Sequence, residues 1–148
     1  MKTKLLFSVA VLLLSSVLCL ANSGSWLTDY DEALSKAKSE NKMVLLDFTG
    51  SDWCGWCIKL DKEIFSQKEF KSYAAENLIL VELDFPRRKK IPRETQEQNK
   101  ELQMKYGIRG FPTIIVLNSE GKKVGQLGYM AGGPEAFVSE LEKLEPKD

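Results

Sequence analysis

The 148-residue sequence contains no histidine. That absence removes any cysteine–histidine nucleophile pair and any imidazole-ligated metal. Cysteine is scarce as well, with Cys19, Cys54 and Cys57 making three. Two cysteines in a processed chain, without histidine, cannot supply the four protein ligands of a structural zinc site. Nor is there an excess of one charge. Lysine plus arginine number 21 and aspartate plus glutamate 21, so no basic field points to nucleic acid. No internal repeat or low-complexity tract is present. The one long apolar run, 5–18, is too short for a comfortable membrane span, which takes about 20 residues. What remains is a chain sized for one domain plus an extension, with 43% hydrophobic residues to build a core.

The extension is N-terminal. Lys2 and Lys4 give a positive start, the apolar run follows, and small residues come after it. This is the pattern of a secretory signal peptide. Cleavage is expected after Ala21, with Ser23 as the alternative, which divides the chain into a leader at 1–21 and a domain at 22–148. An uncleaved membrane anchor is the alternative. Removing the leader leaves the remainder about two charges negative. A lipoprotein cysteine wants a small residue before it and Cys19 follows Leu18, so a lipid anchor at Cys19 is the less favoured reading. Export is expected, to a periplasm-like compartment.

Along the domain the periodicity changes in a regular order. Trp26, Tyr30, Ala33, Leu34 and Ala37 recur at helical spacing, predicting a helix over 26–42. Asp29…Glu32 and Thr28…Asp31 are its candidate caps, and Asn41 its stop. The run 43–48 reads as a buried strand whose one intruder is Asp47. If buried, that carboxyl must be protonated or hydrogen-bonded; if it lies at the strand end, it is solvated. A helix begins near Cys54 and breaks at Ser66, where Ser66-Gln67-Lys68-Glu69 resembles a second capping box. A strand follows over 78–85, then a proline-bracketed basic stretch at 86–92 and a polar helix from Pro92 to about 105. Strands at 113–117 and 122–129 form a hairpin around Asn118-Ser119-Glu120-Gly121. Gly125 and Gly128 in the return strand predict a bulge or a close backbone approach. A last helix starts at Pro134. The basic stretch reads as a solvated loop, with a docking patch for an acidic partner or membrane as its functional alternative. The whole order predicts an α/β sheet with parallel crossovers, one antiparallel hairpin and helices on both faces.

The chemistry concentrates at Trp53-Cys54-Gly55-Trp56-Cys57. A strand that delivers a cysteine to a helix N-terminus places its sulfur beside unpaired N–H groups and the positive end of the helix dipole. Both favour thiolate over thiol. A second cysteine one turn on is close enough to pair with it, giving a reversible two-electron switch.

The sequence resembles the thioredoxin-fold family over about 26–144. The likeness rests on Leu46-Asp47-Phe48 ahead of the two cysteines, and on Tyr106-Gly107-Ile108-Arg109-Gly110-Phe111-Pro112-Thr113 ahead of the hairpin. It is closer to exported bacterial thioredoxin-like proteins than to cytosolic thioredoxin. The loop before Cys54 is one residue longer, the dipeptide between the cysteines is Gly-Trp, and the segment before Tyr106 is longer and basic. The resemblance implies a three-layer sandwich. It makes Cys54 the exposed nucleophile, Cys57 the more buried resolving sulfur and partner in a Cys54–Cys57 disulfide, and Asp47 the acid that handles the Cys57 proton. It further implies a cis Pro112 that, with Phe111 and Thr113, lines the substrate groove along with Trp53, Gly55 and Trp56. Trp56 is expected to cover Cys57, to meet substrate, or to pack on Trp53. The expected activity is thiol–disulfide exchange on protein substrates, leaning to reduction or isomerisation because no histidine stabilises the thiolate. No cofactor or metal is expected. A membrane-embedded electron donor is, and the chain is expected to be a monomer. Two readings compete: a binding or chaperone module with a static disulfide, and a thiolate carrier of Cu(I). A static staple closing so short a loop gains little entropy.

Overall fold

The structure, a computed structural model, describes residues 25–146; the leader and Cys19 lie outside the described residues. Four strands form one sheet in the order β2-β1-β3-β4. β1 (Met43–Thr49) runs parallel to β2 (Leu78–Asp84) and antiparallel to β3 (Thr113–Leu117). β4 (Lys123–Leu127) returns antiparallel to β3 with a register shift at Val116/Leu117. Only the β1–β2 connection is therefore a parallel crossover, fewer than expected from the order of elements.

β1 is buried along its whole length, because it is central and covered on both sides. Its alternate residues feed two cores. Val44, Leu46 and Phe48 face one layer with α1 (Tyr30–Glu40) and α4 (Arg93–Lys105). Met43 and Leu45 face the other, with α2 (Gly55–Leu60), α3 (Lys68–Asn77) and α5 (Gly133–Glu142). Asp47 shares the parity of Leu45 and so points into the α2 layer.

Several boundaries differ from the sequence reading, each for a local reason. The first helix begins at Tyr30, not Trp26, because Asp29 takes the N-cap and accepts the Glu32 N–H at 2.8 Å. The preceding residues are extended. Leu27 bridges Val81 and covers the free edge of β2, while Trp26 packs on Phe65 at 5.1 Å. Asn41 ends the helix in the left-handed region, as its side chain tolerates. The expected Ser66 capping box is absent. Gln67 is the N-cap of α3, with no side-chain cap bond, and Ser66 Oγ instead approaches Asp61 at 3.3 Å. Between them α2 continues into a π-helical turn, Asp61–Phe65. Gly125 marks a close approach, since a Cβ there would run into Leu144; at Gly128 a Cβ would meet only ordinary contact. In α4 Leu102 is buried, but so is Asn99, which donates to the Asp84 carbonyl at 2.9 Å. No helix among the described residues is long and apolar enough to cross a membrane.

Candidate active site

β1 ends at Thr49 and the chain turns through Gly50, Ser51 and Asp52 into α2. Gly50 is required by space: a Cβ there would sit 2.5 Å from the Trp53 indole. Trp53 lies against that turn. Its Nε1–H donates to the Phe85 carbonyl at 2.8 Å, and its ring meets Phe111 edge-on at 6.0 Å. The Arg87 guanidinium stacks on it at 3.7 Å. Cys54 then occupies the N-cap of α2. Its Sγ accepts the Cys57 N–H at 3.2 Å, so the sulfur sits where an Asp or Ser oxygen would cap. Cys54 and Cys57 are joined in a disulfide. They expose 7% and 4% of their surface, so the expected contrast in exposure is small in this oxidised state.

Trp56 is 57% exposed. It does not pack on Trp53; it lies against Tyr129 at 5.0 Å, with the Lys59 ammonium 5.0 Å from both rings. Tyr129 donates its hydroxyl proton to Glu63 at 2.7 Å. Gly55 has open space where a Cβ would be, so packing does not demand glycine there. The Phe111–Pro112 peptide bond is cis. Phe111 stacks on Phe85 at 5.0 Å, and Thr113 donates to the Gly110 carbonyl at 2.7 Å. The aromatic side chains thus form two separate groups: Trp53, Phe85 and Phe111 in one, Trp56 and Tyr129 in the other.

Behind the cysteines lies a cavity of about 310 Å³, lined in part by Asp47, Cys57, Asp61, Glu82, Lys89 and Trp26. Asp47 is 8% exposed, and its Oδ1 has no hydrogen-bond partner among the described residues. Burial first, then the negative charges of Glu82, Asp61 and Asp84, hold its pKa well above the usual carboxylate range. Of the two possibilities for Asp47 in the sequence, burial is the one realised. Glu82 is its cross-strand neighbour in the β1–β2 register, and burial raises its pKa too.

Residues that the sequence reading did not single out complete this region. Asp84 accepts both the N–H and the hydroxyl of Ser51, at 2.9 and 2.6 Å. Lys89 reaches back from the basic loop to Asp84 at 2.8 Å and Glu82 at 3.8 Å. Asp52 accepts the backbone N–H groups of Arg87, Arg88 and Lys89 at 2.7–2.9 Å. The alternation of Leu80, Glu82 and Asp84 along one strand held the signal for two of them. The contact with the loop had none, because it joins segments more than 30 residues apart.

Residues 30–145 match the family model of the thioredoxin-like domain. Disulfide bond reductase DsbH of Chlamydia pneumoniae is 42% identical over 112 residues, which cover 76% of this chain and 68% of that protein. The chain belongs to the thioredoxin-like domain family. A solved structure of DsbH oxidoreductase superposes on this thioredoxin-like chain with a TM-score of 0.76 at 39% identity, covering 82% of this chain and 86% of that one. The thioredoxin-related protein DsbJ of C. pneumoniae is 32% identical across 70% of this chain, which spans only 30% of DsbJ. A thioredoxin from Thermus thermophilus shares the fold, with a TM-score of 0.62 at 21% identity, covering 82% of this chain and 87% of its own. As a thioredoxin-like protein with a Cys-x-x-Cys disulfide, the chain is a homologue of disulfide oxidoreductases.

Proposed function

We propose that this protein reduces or isomerises disulfides of exported proteins through Cys54 and Cys57. The observation that carries the reading is the placement of the Cys54 sulfur at the N-cap of α2, bonded to the Cys57 N–H. The same N–H and the helix dipole favour the thiolate once the disulfide opens. In the reaction the Cys54 thiolate attacks one sulfur of a substrate disulfide, the substrate S–S bond breaks, and the other substrate sulfur leaves as thiolate. Asp47 takes the Cys57 proton. Cys57 then attacks Cys54, the Cys54–substrate bond breaks and the second substrate sulfur leaves. Substrate gains two electrons and the enzyme is left as the Cys54–Cys57 disulfide.

In this reading an extended substrate pairs with the backbone of 111–113. Trp53 and Trp56 flank that path. The name of DsbH, a disulfide bond reductase, supports the reductive direction, and the 1–21 leader supports export. Outside the cytoplasm the oxidised pair would need electrons from a membrane-embedded donor. No nucleic-acid partner is expected from the balanced charge, and a monomer suffices for the chemistry.

Insulin reduction driven by dithiothreitol tests the reading. Wild-type protein should accelerate insulin precipitation, and Cys54→Ser should abolish it. A disulfide that resists dithiothreitol would make the pair a static staple instead, and stoichiometric Cu(I) in the reduced protein would make it a thiolate carrier. Equilibration with glutathione fixes the direction. A potential far more oxidising than thioredoxin's, about −270 mV, would mean a disulfide donor and overturn the reductive assignment.

A further inference from the structure

Charge is balanced over the chain but not along it. Residues 86–93 carry Arg87, Arg88, Lys89, Lys90 and Arg93 and no carboxylate. With those five set aside, 21 less five leaves 16 basic residues against 21 acidic ones in the rest of the sequence. A positive pole on a protein that is otherwise acidic concentrates its field at one place, and such a field steers association with anionic partners.

The pole is fixed beside the chemistry. Asp52 holds the loop through the main-chain N–H groups of Arg87, Arg88 and Lys89, so a single carboxylate anchors a run of cations. Arg87 lies on the ring of Trp53, which directly precedes Cys54. Lys89 pairs with Asp84 and Glu82, and Arg93 with Glu97. Arg88 and Lys90 are exposed and make no ion pair among the described residues, and neither does the exposed Lys100 of α4. Between loop and α4 lies a cavity of about 250 Å³, with Phe85, Pro86 and Ile91 as apolar lining and Lys89, Lys90 and Lys100 as cations. The carboxylate in that lining, Asp84, is already bonded to Ser51 and Lys89. Phe85 links the cavity to the segment proposed to pair with substrate, because its ring stacks on Phe111 at 5.0 Å.

We propose that the 86–93 loop and this cavity form a docking surface for an acidic segment of the protein substrate. Its carboxylates meet Arg88, Lys90 and Lys100, and one apolar side chain enters the cavity between Phe85, Pro86 and Ile91. This rests on the function proposed above and names the class of substrate that the dithiol serves. A membrane surface suits the site less well. Lipid-binding segments pair their cations with apolar side chains that enter the bilayer, whereas the exposed large apolar residues here are Trp56, Ile58 and Met104, none of them in the loop. A concave apolar lining takes a side chain instead.

Stopped-flow reaction of the reduced protein with two peptides tests the surface. Each peptide carries one cysteine as its mixed disulfide with thionitrobenzoate, followed by Glu-Glu-Leu-Glu-Glu in one and Gln-Gln-Leu-Gln-Gln in the other. The peptide disulfide gains two electrons, thionitrobenzoate is released, and Cys54 and Cys57 close. At low salt the acidic peptide should react roughly tenfold faster than the neutral one. That preference should fade at about 1 M salt, where the Debye length is about 3 Å. The triple variant Arg88→Gln/Lys90→Gln/Lys100→Gln should remove it. Lys68→Gln/Lys71→Gln/Lys122→Gln, an equal loss of charge elsewhere, should keep most of it. Glycine in place of the peptide's leucine should slow the acidic peptide, and by less when the protein carries Ile91→Ser. Equal rates for the two peptides, or a preference that survives the Arg88/Lys90/Lys100 changes, would overturn the proposal. Binding to phosphatidylglycerol vesicles with no preference between the peptides would make this a lipid site and overturn it too. If neither peptide releases thionitrobenzoate, the proposed function fails. Fluorescence anisotropy with the same peptides, serine replacing cysteine, then still decides the docking: the acidic one should bind more tightly, and the triple variant should lose the difference.

Discussion

Asp47 is the residue on which the pH behaviour of the molecule turns. Its folded-state pKa lies above the unfolded value of about 3.9, first because it is buried and then because Glu82, Asp61 and Asp84 face it. The folded protein therefore binds the Asp47 proton more tightly than the unfolded chain. This contribution to stability is fully present below the unfolded pKa and is lost as pH rises toward the folded one. Asp47→Asn should accordingly stabilise the oxidised protein little at pH 4 and more at pH 8, where the wild-type carboxyl must be buried as an anion or hold its proton against the solvent. Urea unfolding at the two pH values measures it, and equal gains at both would contradict the assignment. The same substitution should slow closure of the disulfide by Cys57.

Asp52 has the opposite sign. The backbone N–H groups of Arg87 and Lys89 hold its pKa down to about 2. What it contributes to the loop is present above about pH 3.9 and disappears as pH falls through about 2. The amide resonances of residues 87–89 should titrate together with a midpoint near 2, and in Asp52→Asn that titration should vanish. Gly50, in the same turn, tolerates no Cβ against Trp53. Gly50→Ala should cost about 1–3 kcal/mol in thermal or urea unfolding and loosen the Trp53–Phe85 hydrogen bond. These turns were the least legible part of the chain. Strands 43–48 and 113–117 announced themselves as apolar runs, and Cys54 and Cys57 by their spacing after a strand. A carboxylate that accepts three amides 35–37 residues away leaves no period to read. The helical spacing runs on to Trp26, but in the fold that residue packs on Phe65 and its neighbour Leu27 straps the edge of β2.

For the whole molecule, the three layers were readable because each helix carries its apolar stripe and each central strand is apolar throughout. The sense of β3 relative to β1 was not, since apolar runs alone do not orient a strand. The layer that carries the dithiol depends on one ring. Phe65 meets Trp26, Phe70 and Phe137 at 5.1, 4.8 and 5.7 Å. Phe65→Ala should cost about 3–5 kcal/mol in urea unfolding. It should also free the Trp26 segment first, as hydrogen exchange at Leu27 would report.

Phe65 can hold that post only because of how the helix winds before it. At about 100° per residue, a regular helix would set Phe65 roughly 140° around from Leu60, away from the sheet. The Ser66 N–H instead reaches the Asp61 carbonyl at 2.8 Å, an i→i+5 link, and consecutive Ile64 and Phe65 are both buried. The surplus residue is thus a phase correction. Excising Lys62 would return the coil to ordinary pitch with Phe65 four residues after Leu60, roughly 40° around from it, so the phenyl ring should keep its three neighbours and only the widened turn should vanish.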